Sequence, residues 1–156
     1  MYINLSDLNE IGGKKSVSQE LDFHDLEFAG QEIEIKDGIS IELDIYNTQD
    51  SFVVEGKIET ILILTCSRCL EKYEDAKKID VSEEVLKSDM EDREELFIDE
   101  IIVDNIILSL PMKPLCSEDC KGLCPICGQN LNEGECDCEV ENIDPRLEKL
   151  KDFYDK

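Results

Sequence analysis

Apolar and polar residues alternate with a period of two along the first half of the chain. The alternation is clearest at residues 32–36 and 39–45, and in a β-strand successive side chains point to opposite faces of the sheet. Asp37-Gly38 lies between these stretches and is a strong hairpin signal, because both positions of a two-residue turn favour positive φ. The pattern therefore predicts two half-buried antiparallel strands joined at Asp37 and Gly38.

A longer run rich in Val, Ile and Thr follows at residues 52–65 and predicts another strand, with Gly56 as a β-bulge. Residues 73–85 are expected to return beside it in the antiparallel direction. Near the start, Ile3 and Leu5 predict a short edge strand, followed by a polar turn or short helix before Gly12 and Gly13. The first half therefore predicts a meander of four or five strands.

The second half changes from alternation to an acidic stretch and then an apolar one. Residues 83–95 are rich in Asp and Glu and predict an exposed linker or frayed helix. Asp99 is then expected to cap a helix that spans residues 101–110 and ends before Pro111. Its wide apolar surface predicts burial against the sheet, although its many β-branched residues leave a short strand as an alternative.

These elements predict an α+β fold, an antiparallel β-meander sheet covered by one or two helices. Asp144-Pro145 resembles a cap followed by a first-turn proline and predicts a short amphipathic helix at the end of the chain. We expect residues 1–111 to form the core domain, residues 112–143 to form a Cys-rich zinc-binding segment packed on it, and residues 144–156 to form the C-terminal helix.

Composition restricts the class of protein. The chain has 156 residues, which favours one domain. No apolar run approaches the roughly 20 residues of a transmembrane helix, and the first residues lack the basic start and apolar run of a signal peptide. We therefore expect a cytoplasmic protein that does not enter a membrane and keeps its cysteines reduced.

The charge balance bears on the partner. Asp and Glu number 39 against 16 Lys and Arg, a net charge of −23. Nucleic-acid binders gain affinity from Lys and Arg that displace counterions from phosphates, and this chain has no dense basic stripe of that kind. A broad electrostatic RNA-binding face is therefore not expected, whereas a basic protein would be attracted.

Eight cysteines supply the candidate chemistry, six of them between residues 116 and 138 and two in Cys66-Ser-Arg-Cys69. Four thiolates make a closed tetrahedral zinc site, and a two-residue gap lets both sulfurs of a knuckle face one ion. We therefore expect two zinc ions, with the ligands assigned as Cys66, Cys69, Cys116 and Cys120 at site 1 and Cys124, Cys127, Cys136 and Cys138 at site 2.

Several alternatives remain open at this point. A zinc-ribbon partition would pair the knuckle of Cys66 and Cys69 with that of Cys124 and Cys127 at one ion. Disulfides or an iron–sulfur cluster are further uses of the same residues. No catalytic constellation is present: the sequence has no phosphate-binding glycine loop, and its single histidine, His24, lies beside no candidate nucleophile. We therefore expect neither enzymatic activity nor a small-molecule substrate.

Three stretches resemble one known family. T-C-S-R-C-L, the run S-L-P-M-K-P-L-C-S-E-D-C-K-G-L-C-P-I-C-G-Q-N-L-N, and I-D-P-R-L-E-K-L are similar to the YceD (DUF177) family. The resemblance implies a non-enzymatic ribosome-biogenesis factor that supports accumulation of large-subunit (23S) ribosomal RNA. Some members of that family keep the first cysteine pair and lack the second cluster, which favours two independent metal sites.

The resemblance implies large-subunit ribosomal RNA as a partner, and the net charge of −23 indicates a basic ribosomal protein as an alternative or additional partner. In the first case the zinc sites make rigid a segment that presents Lys113, Lys121, Gln129 and Asn130 to a ribosomal partner. In the second case the protein is an acidic escort or chaperone that binds a basic ribosomal protein rather than RNA.

Overall fold

The computed structural model describes residues 1–23, 25–28, 31–90, 92 and 94–138. His24 and the predicted C-terminal helix at residues 144–156 lie outside the described residues. The elements, in chain order, are β1 (Tyr2–Asn4), β2 (Lys14–Leu21), β3 (Asp25–Phe28), β4 (Gln31–Asn47), β5 (Ser51–Thr65), β6 (Lys72–Leu86), β7 (Glu95–Phe97) and α1 (Asp99–Ser109).

Five of these strands form one antiparallel sheet. Its order is β2-β4-β5-β6, and β3 pairs with the same strand, β4, as β2 does. Strands β4 to β6 are 15 to 17 residues long and pair along most of their length. The predicted antiparallel meander is confirmed, including the return of residues 73–85 beside β5. The two short strands β1 and β7 form a separate antiparallel pair.

The hairpin predicted at Asp37 and Gly38 is wrong. Both residues have positive φ, 62° and 79°, but the chain continues in the same direction through β4. The register shifts between Lys36 and Ile39 while β5 stays continuous opposite them, so the two residues form a bulge. Residues on both sides of the bulge pair with β5. This long ladder outweighs the local preference of Asp37 and Gly38 for a turn.

The bulge predicted at Gly56 is also wrong. Gly56 pairs with Leu43 and Val81 in an unbroken register. Its role is to permit a close approach, because a Cβ there would lie 2.0 Å from the carbonyl oxygen of Glu42. Glycine in this strand therefore indicates a close approach of the neighbouring backbone and not an extra residue.

The acidic stretch and the helix each differ in part from the expectation. The predicted linker at residues 83–95 begins inside β6 and ends at the first residue of β7. Helix α1 begins at Asp99, but the N-cap position is Ile98, and no side chain in the described part of the chain caps it. Asp99 instead forms an ion pair with the N-terminal amine of Met1. The helix ends at Ser109, just before Pro111, as the sequence predicts.

The core lies between one face of the sheet and α1. Ile41 and Ile58 from the sheet and Ile102 and Ile106 from the helix are fully buried in one apolar cluster. The prediction of an apolar helix packed on the sheet is therefore confirmed. Among the described residues, no helix is long and apolar enough to cross a membrane.

Candidate metal centre

The first cysteine cluster lies at the turn between β5 and β6. Strand β5 leads directly into Cys66, and the chain after α1 returns to this turn, where the Ser67 N–H donates to the Pro114 carbonyl at 2.8 Å. This contact brings Cys116 and Cys120 to the knuckle. The sulfurs of Cys66 and Cys120 are 3.8 Å apart, those of Cys69 and Cys116 are 3.7 Å apart, and all four lie within 4.8 Å of one another.

The second cluster lies in the segment that follows. The sulfurs of Cys124, Cys127, Cys136 and Cys138 also lie within 4.8 Å of one another. Cys124 is buried, whereas Cys127 is exposed and Cys136 and Cys138 are half-buried. The first cluster, by contrast, buries three of its four cysteines. Each cluster can hold one metal ion, and the second is the more open to solvent.

The two Cys-x-x-Cys knuckles share one backbone geometry. In the first, the Arg68 N–H points at the Cys66 sulfur at 3.4 Å, and the Leu70 N–H donates to the Cys66 carbonyl at 3.0 Å. Leu70 adopts a φ of 61° to make this second bond. Such N–H donors stabilise a thiolate, because they place positive partial charge at the sulfur.

The second knuckle repeats both bonds. The Ile126 N–H lies 3.5 Å from the Cys124 sulfur, and the Gly128 N–H donates to the Cys124 carbonyl at 2.9 Å. Gly128 has a φ of 75°, so it occupies the same left-handed position as the leucine of the first knuckle. Only the second knuckle fills that position with the residue that adopts it at no steric cost.

The pKa values in the first cluster diverge. The pKa of Cys66 falls to about 6, chiefly because the Cys69 N–H donates to its sulfur. The pKa of Cys116 rises to about 12, chiefly because its thiol donates to the Cys120 sulfur. One thiolate is thus favoured while its neighbour keeps its proton.

The second cluster shows the same division. The Cys127 N–H lowers the pKa of Cys124 to about 6, and a hydrogen bond to the Cys127 sulfur is the largest cause that raises the pKa of Cys138 to about 12. Four converging sulfurs carry too much negative charge to ionise together without a cation. Four soft donors with backbone N–H support fit a tetrahedral Zn2+, which would supply that charge.

The structure groups the cysteines as in the first partition considered above rather than as a zinc ribbon. It places Cys116 and Cys120 at the β5–β6 turn, and it leaves Cys124 and Cys127 with Cys136 and Cys138. Ligation of zinc by these eight residues stays a prediction.

The four predicted partner-binding residues also lie in or beside this segment. Lys113, Lys121 and Gln129 are exposed. Asn130 is half-buried and donates to the Glu71 carboxylate at 3.0 Å, so part of its hydrogen-bonding capacity is used inside the protein. Their contact with a partner stays a prediction.

One residue of the site escaped the sequence analysis. The Asn132 side-chain amide donates to the Cys120 sulfur at 3.3 Å and its carbonyl oxygen accepts the Lys121 N–H at 2.8 Å. It is the largest cause of the lowered pKa of Cys120. The only signal was an asparagine in the loop after a knuckle, which by itself indicates a turn and not a contact with the other cluster.

The fold and the two cysteine clusters define an antiparallel sheet protein with two candidate four-thiolate metal centres. The chain belongs to the YceD family: the family model described as "Large ribosomal RNA subunit accumulation protein YceD" matches residues 54–154. The matched region begins in β5 and includes all eight cysteines. The family assignment made from the cysteine motifs is therefore confirmed.

Individual relatives extend the comparison. Uncharacterized proteins of Mycobacterium bovis and Mycobacterium tuberculosis are each 30% identical over 133 residues, which cover 76% of this chain and 64% of the relative. The chain thus spans less than two thirds of the length of these relatives. An Arabidopsis thaliana protein named "Large ribosomal RNA subunit accumulation protein YCED homolog 1, chloroplastic" is 40% identical over 50 residues, 32% of this chain and 16% of that protein. No solved structure matches.

Proposed function

We propose that this chain is a non-enzymatic, cytoplasmic ribosome-biogenesis factor that supports accumulation of 23S ribosomal RNA and is stabilised by two structural zinc ions. The observation that carries the proposal is the match of residues 54–154 to a family named for accumulation of large-subunit ribosomal RNA. The converging cysteines lie inside the matched region.

The zinc ions in this proposal are structural. A catalytic zinc site keeps one coordination position for water or substrate, whereas four thiolates close the tetrahedron. Each cluster offers four sulfurs. Bound zinc would supply folding free energy to the segment that carries the ligands. In the proposal residues 112–143 form that segment, packed on the core formed by residues 1–111, and present Lys113, Lys121, Gln129 and Asn130 to a ribosomal partner.

A second candidate function follows from the charge of the sheet. The outer face carries exposed carboxylates from three neighbouring strands, Glu42 on β4, Glu55 and Glu59 on β5, and Asp80 on β6. The exposed lysines Lys57 and Lys78 lie among them, and Lys78 pairs with Glu59 at 2.8 Å. Together with the net charge of −23, this face favours a basic protein and disfavours RNA. In this version the chain escorts a basic ribosomal protein and affects ribosomal RNA through it.

Depletion of the protein in its host tests the main proposal. We expect the amount of 23S RNA to fall relative to 16S RNA, and re-expression of the wild-type chain to restore it. A 23S-to-16S ratio that does not change after depletion would contradict the proposal.

Affinity purification with and without nuclease then separates the two candidates. A basic ribosomal protein that stays bound after nuclease treatment, and is released by added salt, supports the escort. Loss of every large-subunit component on nuclease treatment supports direct contact with RNA. A variant with the four outer-face carboxylates changed to Gln or Asn is the matched control. It should lose its partner if the chain binds a basic protein and keep its partner if the chain binds RNA.

A further inference from the structure

The loop between the two cysteine pairs of the second cluster is attached to the first cluster. It spans residues 128–135 and is flanked by Cys127 and Cys136. Within it the Leu131 N–H donates to the Gly122 carbonyl at 2.9 Å, and the nearby Leu123 N–H donates to the Arg68 carbonyl of the first knuckle at 3.2 Å. A metal ion at the second cluster would hold both ends of this loop.

Asn132 is the residue of the loop that reaches a sulfur of the first cluster. Its amide group donates to the Cys120 sulfur at 3.3 Å, and its oxygen accepts the Lys121 N–H at 2.8 Å. One side chain thus contacts both the Cys120 sulfur and the backbone of the next residue, Lys121. Partners of this kind orient metal ligands, and their loss typically costs about 10- to 100-fold in metal affinity.

A second side chain extends the connection to the first knuckle. The Asn130 oxygen accepts both the N–H and the side-chain amide of Asn132, at 3.0 Å and 2.9 Å. The Asn130 amide donates to the Glu71 carboxylate at 3.0 Å, and the Glu71 carbonyl accepts the Cys66 N–H at 2.8 Å. Asn130 and the two acceptor groups of Glu71 thus connect this loop to the backbone of Cys66.

We propose that Asn132 is a positioning residue that couples the two clusters, so that an ion at the second cluster slows the loss of an ion from the first. This inference rests on the proposed function, in which both clusters bind zinc. An ion that holds the loop at Cys127 and Cys136 fixes Asn132 against Cys120 before the first ion binds, which lowers the cost of ordering that ligand. Because coupling is reciprocal, the first ion strengthens binding of the second to the same extent.

The test measures zinc release from the full chain into an excess of a chromogenic chelator. The double variant Cys136→Ser/Cys138→Ser removes the second ion and identifies the release from the first cluster. We expect that release to be about tenfold faster in the double variant than in the parent. Asn132→Ala should accelerate it by a similar factor, and adding the two serine substitutions to Asn132→Ala should change it no further.

Two more variants separate positioning from loop folding. Asn132→Asp keeps the acceptor for the Lys121 N–H but loses the donor to the Cys120 sulfur, so we expect fast release from it as well. Glu133→Gln, in the same loop with an exposed side chain, should release zinc like the parent. Co2+ loaded in place of Zn2+ gives a second readout, since the sulfur-to-cobalt absorption of the first cluster should shift in Asn132→Asp and stay unchanged in Glu133→Gln.

Three results would overturn the coupling. They are parent-like release from Asn132→Asp, an unchanged release rate after removal of the second site, and an equal acceleration by the serine substitutions with or without Asn132. Native mass spectrometry of the parent distinguishes these from failure of the metal sites. Two bound ions with independent release would contradict only the coupling, whereas no bound ion would contradict the proposed zinc sites and the coupling together.

Discussion

The sheet and the cysteine segment of this protein are held together by different means. Strands β4 and β5 bury a continuous apolar face that includes Ile41, Ile58 and Leu62, all fully buried. Residues 116–138, every one within the described part of the chain, form no helix and no strand of the sheet. Among the residues that the structure describes, only Tyr73 and Leu115 pack around the first cluster as partly buried apolar side chains. A segment with so little apolar burial needs another source of stability, and converging thiolates supply one when they bind a metal.

Metal removal should therefore affect the two regions to very different extents. Structural zinc contributes about 10 kcal/mol or more in small zinc-binding peptides, which is the largest effect expected here. On treatment with a strong chelator, amide hydrogen exchange at residues 116–138 should become fast, while β4 and β5 stay protected. A mass-resolved exchange experiment on the full chain checks this, and equal loss of protection in both regions would contradict the division.

A cavity in the core should destabilise the sheet and leave the metal sites unchanged. Ile58→Ala removes a fully buried side chain from the centre of the core and should lower the free energy of unfolding by about 2–5 kcal/mol. Zinc content of the folded variant should not change, because the cysteines are not touched. Denaturant unfolding and metal analysis check the two halves of the prediction. Glu59→Ala, one position further along β5 and exposed, is the control that should stay close to the parent.

A substitution in the β4 bulge should change the free energy of unfolding by a smaller amount. A Cβ on Gly38 would lie 2.6 Å from the Leu21 carbonyl oxygen, at a φ of 79°. Gly38→Ala should therefore cost about 1–3 kcal/mol in unfolding free energy. The loss should appear in the denaturant midpoint with no change in zinc content. An Ala variant as stable as the parent would show that β4 does not need glycine at this position.

The two knuckles allow the finest comparison. Gly128→Ala places a Cβ at positive φ with no heavy atom of the described residues within 4 Å, so the backbone conformation alone should cost about 1 kcal/mol. Leu70→Gly makes the reverse change at the equivalent position of the first knuckle and should gain up to about 1 kcal/mol. The denaturant midpoints of the zinc-loaded variants check both signs. Two shifts of the same sign would contradict the equivalence of the knuckles.

The strands and the helix were predictable because their signals are local. Alternation at residues 39–45 identifies the buried face of β4, and Pro111 marks the end of α1. The direction of the chain at Asp37 and Gly38 was not predictable, because a hairpin and a bulge require the same positive φ. Only the pairing of β4 with β5, set by residues far apart in sequence, decides between them.

The candidate metal centres were also predictable only in part. The knuckle spacing identifies Cys66 with Cys69 and Cys124 with Cys127 as pairs, because two sulfurs so close in sequence face one ion. Which pairs share an ion depends on the path of the chain after α1 and on the contact between Ser67 and Pro114, neither of which spacing encodes. The contact of Asn132 with Cys120 is of the same kind, since it joins two loops through one side chain.

Native mass spectrometry of the full chain, purified without added metal, counts the bound zinc ions directly. We expect two zinc ions per chain with all eight cysteines reduced. After Cys69→Ser or Cys127→Ser, the count should fall by one ion in each case, from a different cluster. A parent chain that carries no zinc and whose mass is lower by pairs of hydrogens would contradict the account, because the converging sulfurs would then be disulfides.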